Sequence, residues 1–210
     1  MFPTGLYAIC DDTVRTELSL EQKAADLLAG GARVIQLRMK RTGSVQALQM
    51  ARRIVALCRQ GKAVCLVNDR VDWALMSQAD GVHLGADDLS VSQARQLLGP
   101  GRFVGATVRS LKMIREAQTA GADHVGLGPI FNSSTKRVEA PPLGLSRLRE
   151  IVAHSPLPVI AISGIDRGNI QEVAATGVHG AAVLSELLNA TDIRSAAREL
   201  SMAFQRGSSQ

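Results

Sequence analysis

Short apolar runs alternate with amphipathic stretches along the whole chain. The runs fall at 5–10 (GLYAIC), 33–39 (RVIQLRM), 63–69 (AVCLVND), 81–85 (GVHLG), 103–108 (FVGATV), 124–130 (HVGLGPI), 158–164 (PVIAISG) and 180–186 (GAAVLSE). Each is brief, apolar on both faces and rich in Val and Ile, which is the pattern of parallel strands covered by helices. Between them lie stretches such as SLEQKAADLLAGG, SVQALQMARRIVALCRQG and SVSQARQLLGPG. These open on Ser19, on Ser44, and on Ser90 or Ser92, and they close on glycine. Serine supplies an acceptor for the free N–H groups of a helix start, and glycine permits the turn that ends it. The phrases GARV, QADGV, AGADHV and TGVHG recur just before strands, but at unequal spacings, which excludes a solenoid. Eight strand–helix alternations without a linker predict an α/β protein, a single-domain (β/α)8 TIM barrel over residues 1–210. An open doubly wound sheet is the rival; its glycine-rich first turn is missing, because the first strand ends AICDDT.

Composition narrows the function classes. The 210 residues are 46% hydrophobic and 20% charged, ordinary for a globular chain. Aromatics are only 3%, which counts against a stacking platform for single-stranded nucleic acid. The net charge is +5, but the Lys and Arg are dispersed, so small anions are expected as partners rather than nucleic acid or a membrane surface. Cys10, Cys58 and Cys65 are odd in number and lack metal-ligand spacing, so they read as small buried hydrophobes. Neither a signal peptide nor an apolar run of spanning length is seen, and a cytoplasmic location is the expectation.

In such a barrel the carboxyl ends of the strands carry the chemistry. Alternation in QLRMK sets Gln36, Arg38 and Lys40 on one face and Leu37 and Met39 on the other. Two cations on one face repel unless an anion lies between them, and arginine and lysine are the usual phosphate ligands. Strand three ends in Asn68 and Asp69, and strand four leads to Asp87 and Asp88. Carboxylates at the ends of adjacent strands suit Mg²⁺, a hard ion, although Asp87 and Asp88 also fit the start of a helix. Strand five offers Thr107 and Arg109. The irregular stretch GPIFNSSTKRVEAPPLGL holds Ser133, Ser134, Thr135 and Lys136, all donors for an anion. Gly164 after strand seven and Leu184-Ser185 after strand eight suit a phosphate site built from backbone N–H groups. His83 reads as a hydrogen-bonded core residue, and His124, His154 and His179 receive no role.

The stretches VIQLRMK, LVNDRVDWAL, ADGVHLGADDL, GADHVGLGPIF, STK, PPLGL and PVIAISGI, in that order, resemble thiamine phosphate synthases over nearly the whole chain. The resemblance implies a transferase that joins a pyrimidine diphosphate to a thiazole phosphate, giving thiamine phosphate and pyrophosphate. It implies that Arg38, Lys40 and Lys136 are catalytic. It implies substrate contacts from Gln36, Leu37, Arg38, Met39, Lys40, Asn68, Thr107, Ser133, Ser134, Thr135, Lys136, Gly164, Leu184 and Ser185. Asp69 and Asp88 would hold Mg²⁺, and the partners would be two phosphorylated small molecules, with a homo-oligomer left open. The chain departs from the family pattern at Ala86, Thr107, Arg109, Ser163 and in NSSTK. A thiazole tautomerase and a non-catalytic barrel that binds a phosphorylated ligand are the alternatives.

Overall fold

A computed structural model describes residues 1–133 and 141–209. Strands β1 (Gly5–Asp11), β2 (Val34–Arg38), β3 (Val64–Asn68), β4 (Gly81–Leu84), β5 (Phe103–Val108), β6 (His124–Leu127), β7 (Val159–Ala161) and β8 (Gly180–Val183) pair in sequence order. All pairs are parallel, and β8 returns to β1 to close the barrel. Helices α1 (Leu20–Ala29), α2 (Ser44–Gln60), α3 (Val71–Ser77), α4 (Val91–Leu98), α5 (Leu111–Thr119), α6 (Gly144–His154), α7 (Ile170–Ala174), α8 (Ser185–Leu188) and α9 (Ile193–Ser208) follow the strands. The predicted (β/α)8 architecture is the observed one.

Several apolar runs extend past the strands they mark. β6, β7 and β8 end three residues before their apolar runs do, and the rim residues beyond them line a cavity. Ser185 therefore opens the single-turn α8 rather than ending a strand. Ser19 and Ser90 cap α1 and α4 with reciprocal capping boxes, to Gln22 and Gln93. Ser44 differs: Gly43 holds the cap position of α2, and Ser44 is its first helical residue. The left-handed residue after α2 is Lys62 (φ 52°), not Gly61.

Alternation along each strand makes two cores. Outward side chains such as Ile35, Leu37, Cys65, Val67 and Val125 pack under the helices. Inward side chains, Tyr7, Val34, Leu66, Ile160 and Ala182, fill the barrel and are closed from below by Phe2. Aromatic scarcity shapes this interior: Phe2, Tyr7 and Phe103 sit with the rings of His83 and His124. All three cysteines are buried and free, as their apolar contexts predict.

Candidate active site

The carboxyl rim encloses a cavity of about 970 Å³. Its walls include Gln36, Arg38, Lys40, Asn68, Asp69, Thr107, Ser133, Gly164, Leu184 and Ser185. Ten of the expected site residues, drawn from six different strand ends, thus meet in one place. Leu37 and Met39 do not: they are buried in the outer core, because the same alternation that turns Gln36 and Arg38 inward turns them toward the helices. Any contact that Leu37 and Met39 make with substrate is therefore left to their backbone. Ser134, Thr135 and Lys136 lie outside the described residues.

Arg38 and Lys40 are each held by an acid. Arg38 Nη1 pairs with fully buried Asp11, which also accepts from the backbone N–H of Thr13 at 2.6 Å and from its hydroxyl. Lys40 Nζ lies 2.5 Å from Asp69 Oδ2. The backbone beneath Lys40 is organised by Asp12. That carboxylate accepts from the N–H groups of Lys40 (2.8 Å), Arg41 (2.9 Å) and Thr42 (2.9 Å) and from the Thr42 hydroxyl (2.8 Å). Partial burial acts against the Asp12 charge, yet these hydrogen bonds hold its carboxyl below the usual range. Asp11 and Asp12 were missed at the sequence level. Their signal was present: an Asp pair closing β1 satisfies the same strand-end rule that selected Asn68-Asp69.

Asp69 adopts a left-handed backbone (φ 64°), and its N–H donates to the His83 carbonyl at 2.8 Å. Non-glycine residues in that region are uncommon and cluster at functional sites. The bend brings its carboxylate into contact with Asp88, whose Oδ2 accepts from Gly85 N–H at 2.7 Å. Burial and the Asp69 charge push Asp88 up. Burial opposes the Asp69 charge as well, but Asp88 and Lys40 hold Asp69 down. Two carboxylates this close repel unless a proton or a cation stands between them. Hard oxygen donors on adjacent strand ends fit Mg²⁺, which commonly takes one or two carboxylates and completes its shell with water and substrate phosphate. Among the described residues no group of three or more His, Cys, Asp or Glu converges.

The opposite wall is built from backbone. Ser163 (φ 75°) and Gly164 (φ 69°) make consecutive left-handed residues after β7. A side chain at 164 would collide with the Asn132 carbonyl at 2.4 Å and with Phe131 Cβ at 2.7 Å, so only glycine lets the β6 loop approach. Asn169 Nδ2 donates to the Gly164 carbonyl at 2.9 Å and fixes that turn. Arg109 Nη2 reaches the Pro141 carbonyl at 3.2 Å on the far side of the β6–α6 loop. The floor is a hydrogen-bonded set that includes Tyr7: its hydroxyl donates to Gln36 Oε1 (2.5 Å), and Gln36 Nε2 donates to Asn68 Oδ1 (2.6 Å). Burial, then the Cys65 thiol, push Tyr7 far up, so it remains a donor.

The cavity therefore has a cationic and acidic side at β2–β4, a backbone-lined side at β7–β8, and the apolar Ile9, Ile160, Ile162 and Ala182 between them. It suits two anionic groups joined by apolar rings. Residues 6–187 match the family model described as thiamine monophosphate synthase. The thiamine-phosphate synthase of Myxococcus xanthus (strain DK1622) is 56% identical over 98% of this chain and 94% of its own length. That of Anaeromyxobacter dehalogenans (strain 2CP-C) is 48% identical over 88% and 83%. The structure of thiamine phosphate pyrophosphorylase from Pyrococcus furiosus superposes with a TM-score of 0.89 at 36% identity, covering 97% of this chain and 96% of that one. With fold, rim and sequence in agreement over almost the full length, the chain belongs to the thiamine monophosphate synthase family.

Proposed function

We propose that this chain, as one functional unit over 1–210, couples 4-amino-2-methyl-5-(diphosphooxymethyl)pyrimidine with 4-methyl-5-(2-phosphoethyl)thiazole to give thiamine phosphate and pyrophosphate. The observation that carries this reading is the convergence of Arg38, Lys40, Asn68 and Asp69 on one side of a cavity whose other side is the Ser163-Gly164 and Leu184-Ser185 backbone. The first side suits a diphosphate, and the second suits a phosphate monoester.

In the reaction the methylene C–O bond breaks and its electron pair departs with the diphosphate. The thiazole nitrogen lone pair then forms the new C–N bond. No side chain needs to act as a nucleophile or strong base. Arg38 and Lys40 meet charge that grows on the leaving oxygens, and their acid partners hold them aimed before substrate arrives, which is electrostatic preorganisation. Lys136, matched to the family pattern through STK, would add a third cation. Gln36, Asn68 and Thr107 hold the pyrimidine ring, while Ser133, Ser134, Thr135 and the Gly164 and Leu184-Ser185 backbone hold the thiazole phosphate. Mg²⁺ held by Asp69 and Asp88 would neutralise diphosphate charge as a Lewis acid. Confining both partners between the apolar walls supplies the orientation. A cytoplasmic location fits a reaction between two phosphorylated metabolites, and among the described residues no helix is long and apolar enough to cross a membrane.

The test is pyrophosphate release from purified protein with both substrates and Mg²⁺. Release that requires both substrates and stops with a chelator is expected. Thiazole isomerisation without release would instead identify a tautomerase, and ligand binding without turnover would identify a sensor.

A further inference from the structure

Two histidines at the inner end of the cavity are not used by the coupling chemistry: His83 lines the wall and His124 sits behind it. His83 Nε2 is 3.0 Å from the Thr107 hydroxyl, and His83 Nδ1 is 3.5 Å from His124 Nε2. The remaining ring nitrogen, His124 Nδ1, is buried with no hydrogen-bond partner among the described residues. Phe2 stacks on the His124 ring at 4.0 Å and 18°, and Phe103 meets Phe2 edge-on, so the lower end is sealed by apolar rings. The strands make room for the pair. A Cβ at Gly105 would come within 2.2 Å of His124 Nε2 and 2.7 Å of His83 Nδ1, and one at Gly126 within 3.1 Å of His83 Cε1.

We propose that His124 and His83 are positioning residues that set the Thr107 hydroxyl as a donor, so that the inner wall selects a ring edge carrying a bare nitrogen lone pair. A neutral imidazole has one donor and one acceptor. A proton on His124 Nδ1 would be an orphaned buried N–H, which folded proteins avoid more strictly than an orphaned acceptor. The proton therefore sits on Nε2 and donates to His83 Nδ1. His83 is left with its own proton on Nε2, which donates to Thr107 Oγ1. Because His83 Nε2 then cannot accept it, the Thr107 proton points away from His83, toward the cavity. Burial supports neutrality of the His124 ring, by disfavouring its charged form. The second arm of the floor has the same polarity: Tyr7 donates to Gln36, Gln36 donates to Asn68, and the Asn68 amide is left with its N–H groups. Both arms end in donors at the cavity, which matches the unprotonated ring nitrogens of an aminopyrimidine. The choice of ligand rests on the proposed function; the tautomers do not.

Long-range proton–nitrogen NMR on the intact, ligand-free protein with labelled histidine reads the relay directly. Protonated Nε2 and bare Nδ1 are expected on both rings at neutral pH. A proton on Nδ1 of either ring, or a charged ring, overturns the proposal even if the synthase activity is present. The functional arm compares His124→Leu, which removes the donor to His83, with His124→Gln, which keeps an N–H donor. One neutral hydrogen bond corresponds to about a fivefold change. KM for the pyrimidine diphosphate should rise about fivefold in His124→Leu and stay within twofold in His124→Gln, with KM for the thiazole phosphate unchanged. Equal rises for both substrates, or a wild-type KM in His124→Leu, would reject the relay. If neither substrate turns over, the assigned reaction fails, and the NMR result still decides the relay.

Discussion

Arg38 and Lys40 lie two residues apart on one face, yet the structure gives them different duties. Arg38 neutralises Asp11, which has no access to water. Lys40 is half exposed and pairs with an acid that water also reaches. Removing one partner of a buried pair is costly, whereas exposed pairs contribute little. Arg38→Ala should therefore destabilise the protein by about 2–4 kcal/mol, and Lys40→Ala by less than about 1 kcal/mol. Both should cut turnover by at least about a hundredfold. Urea unfolding beside the pyrophosphate assay separates the two quantities; a fully stable Arg38→Ala would contradict the pairing. Ser163 offers a second residue-scale measurement. A β-branched side chain at its left-handed φ should cost about 1–2 kcal/mol in Ser163→Val. Ser163→Gly should stay within about 1 kcal/mol of the parent, because relieved strain opposes the added freedom of the unfolded chain.

At the scale of elements, the loop from β2 to α2 is the informative unit. It has no regular structure of its own, yet one carboxylate, Asp12 just past the end of β1, fixes three of its N–H groups. Asp12→Ala should leave the barrel folded while lowering kcat at least about tenfold, because Lys40 loses its aim. Hydrogen exchange at residues 40–42 is expected to rise selectively in that variant, and unchanged protection there would count against this role. By contrast, Ser19→Ala removes the cap of α1, on the outer layer; it should cost about 1 kcal/mol with turnover unaffected. Elements were also the most legible level of the sequence. Ser19 was recognisable as a cap, and that of α4 was narrowed to Ser90 or Ser92, because capping depends on a few neighbouring residues. The ends of β6 to β8 were not, since Pro129, Ile162 and Leu184 continue an apolar run while bending out of the ladder to line the cavity.

For the molecule as a whole, the buried imidazoles make stability depend on pH. Burial lowers His83 from 6.5 to about 4 and lowers His124 well below its usual value. In the unfolded chain both bind protons near pH 6.5, so the unfolded state takes up more protons below that point. Stability should be fully present above about pH 6.5 and fall as pH drops from there toward about 4. Denaturant midpoints across that range should show the decline, and it should be shallower in His124→Leu. A flat profile in the parent would mean that the histidines are charged or exposed.

The barrel, the helix starts and the rim candidates could be derived from the sequence alone, because alternation, capping and strand-end position are set within a few residues. It also carried the family resemblance, through motifs whose order survives in the linear chain. Which acid serves which cation was settled only by tertiary structure. Asp11 with Arg38, Asp12 with the Lys40 loop, Asp69 with Asp88, and His83 with His124 join different strands, and their pairing depends on barrel closure and register. Leu37 and Met39 show the same limit from the other side: the motif contains them, but the pleat turns them into the outer core. Local patterns specify where a side chain starts, while the closed sheet specifies what it meets.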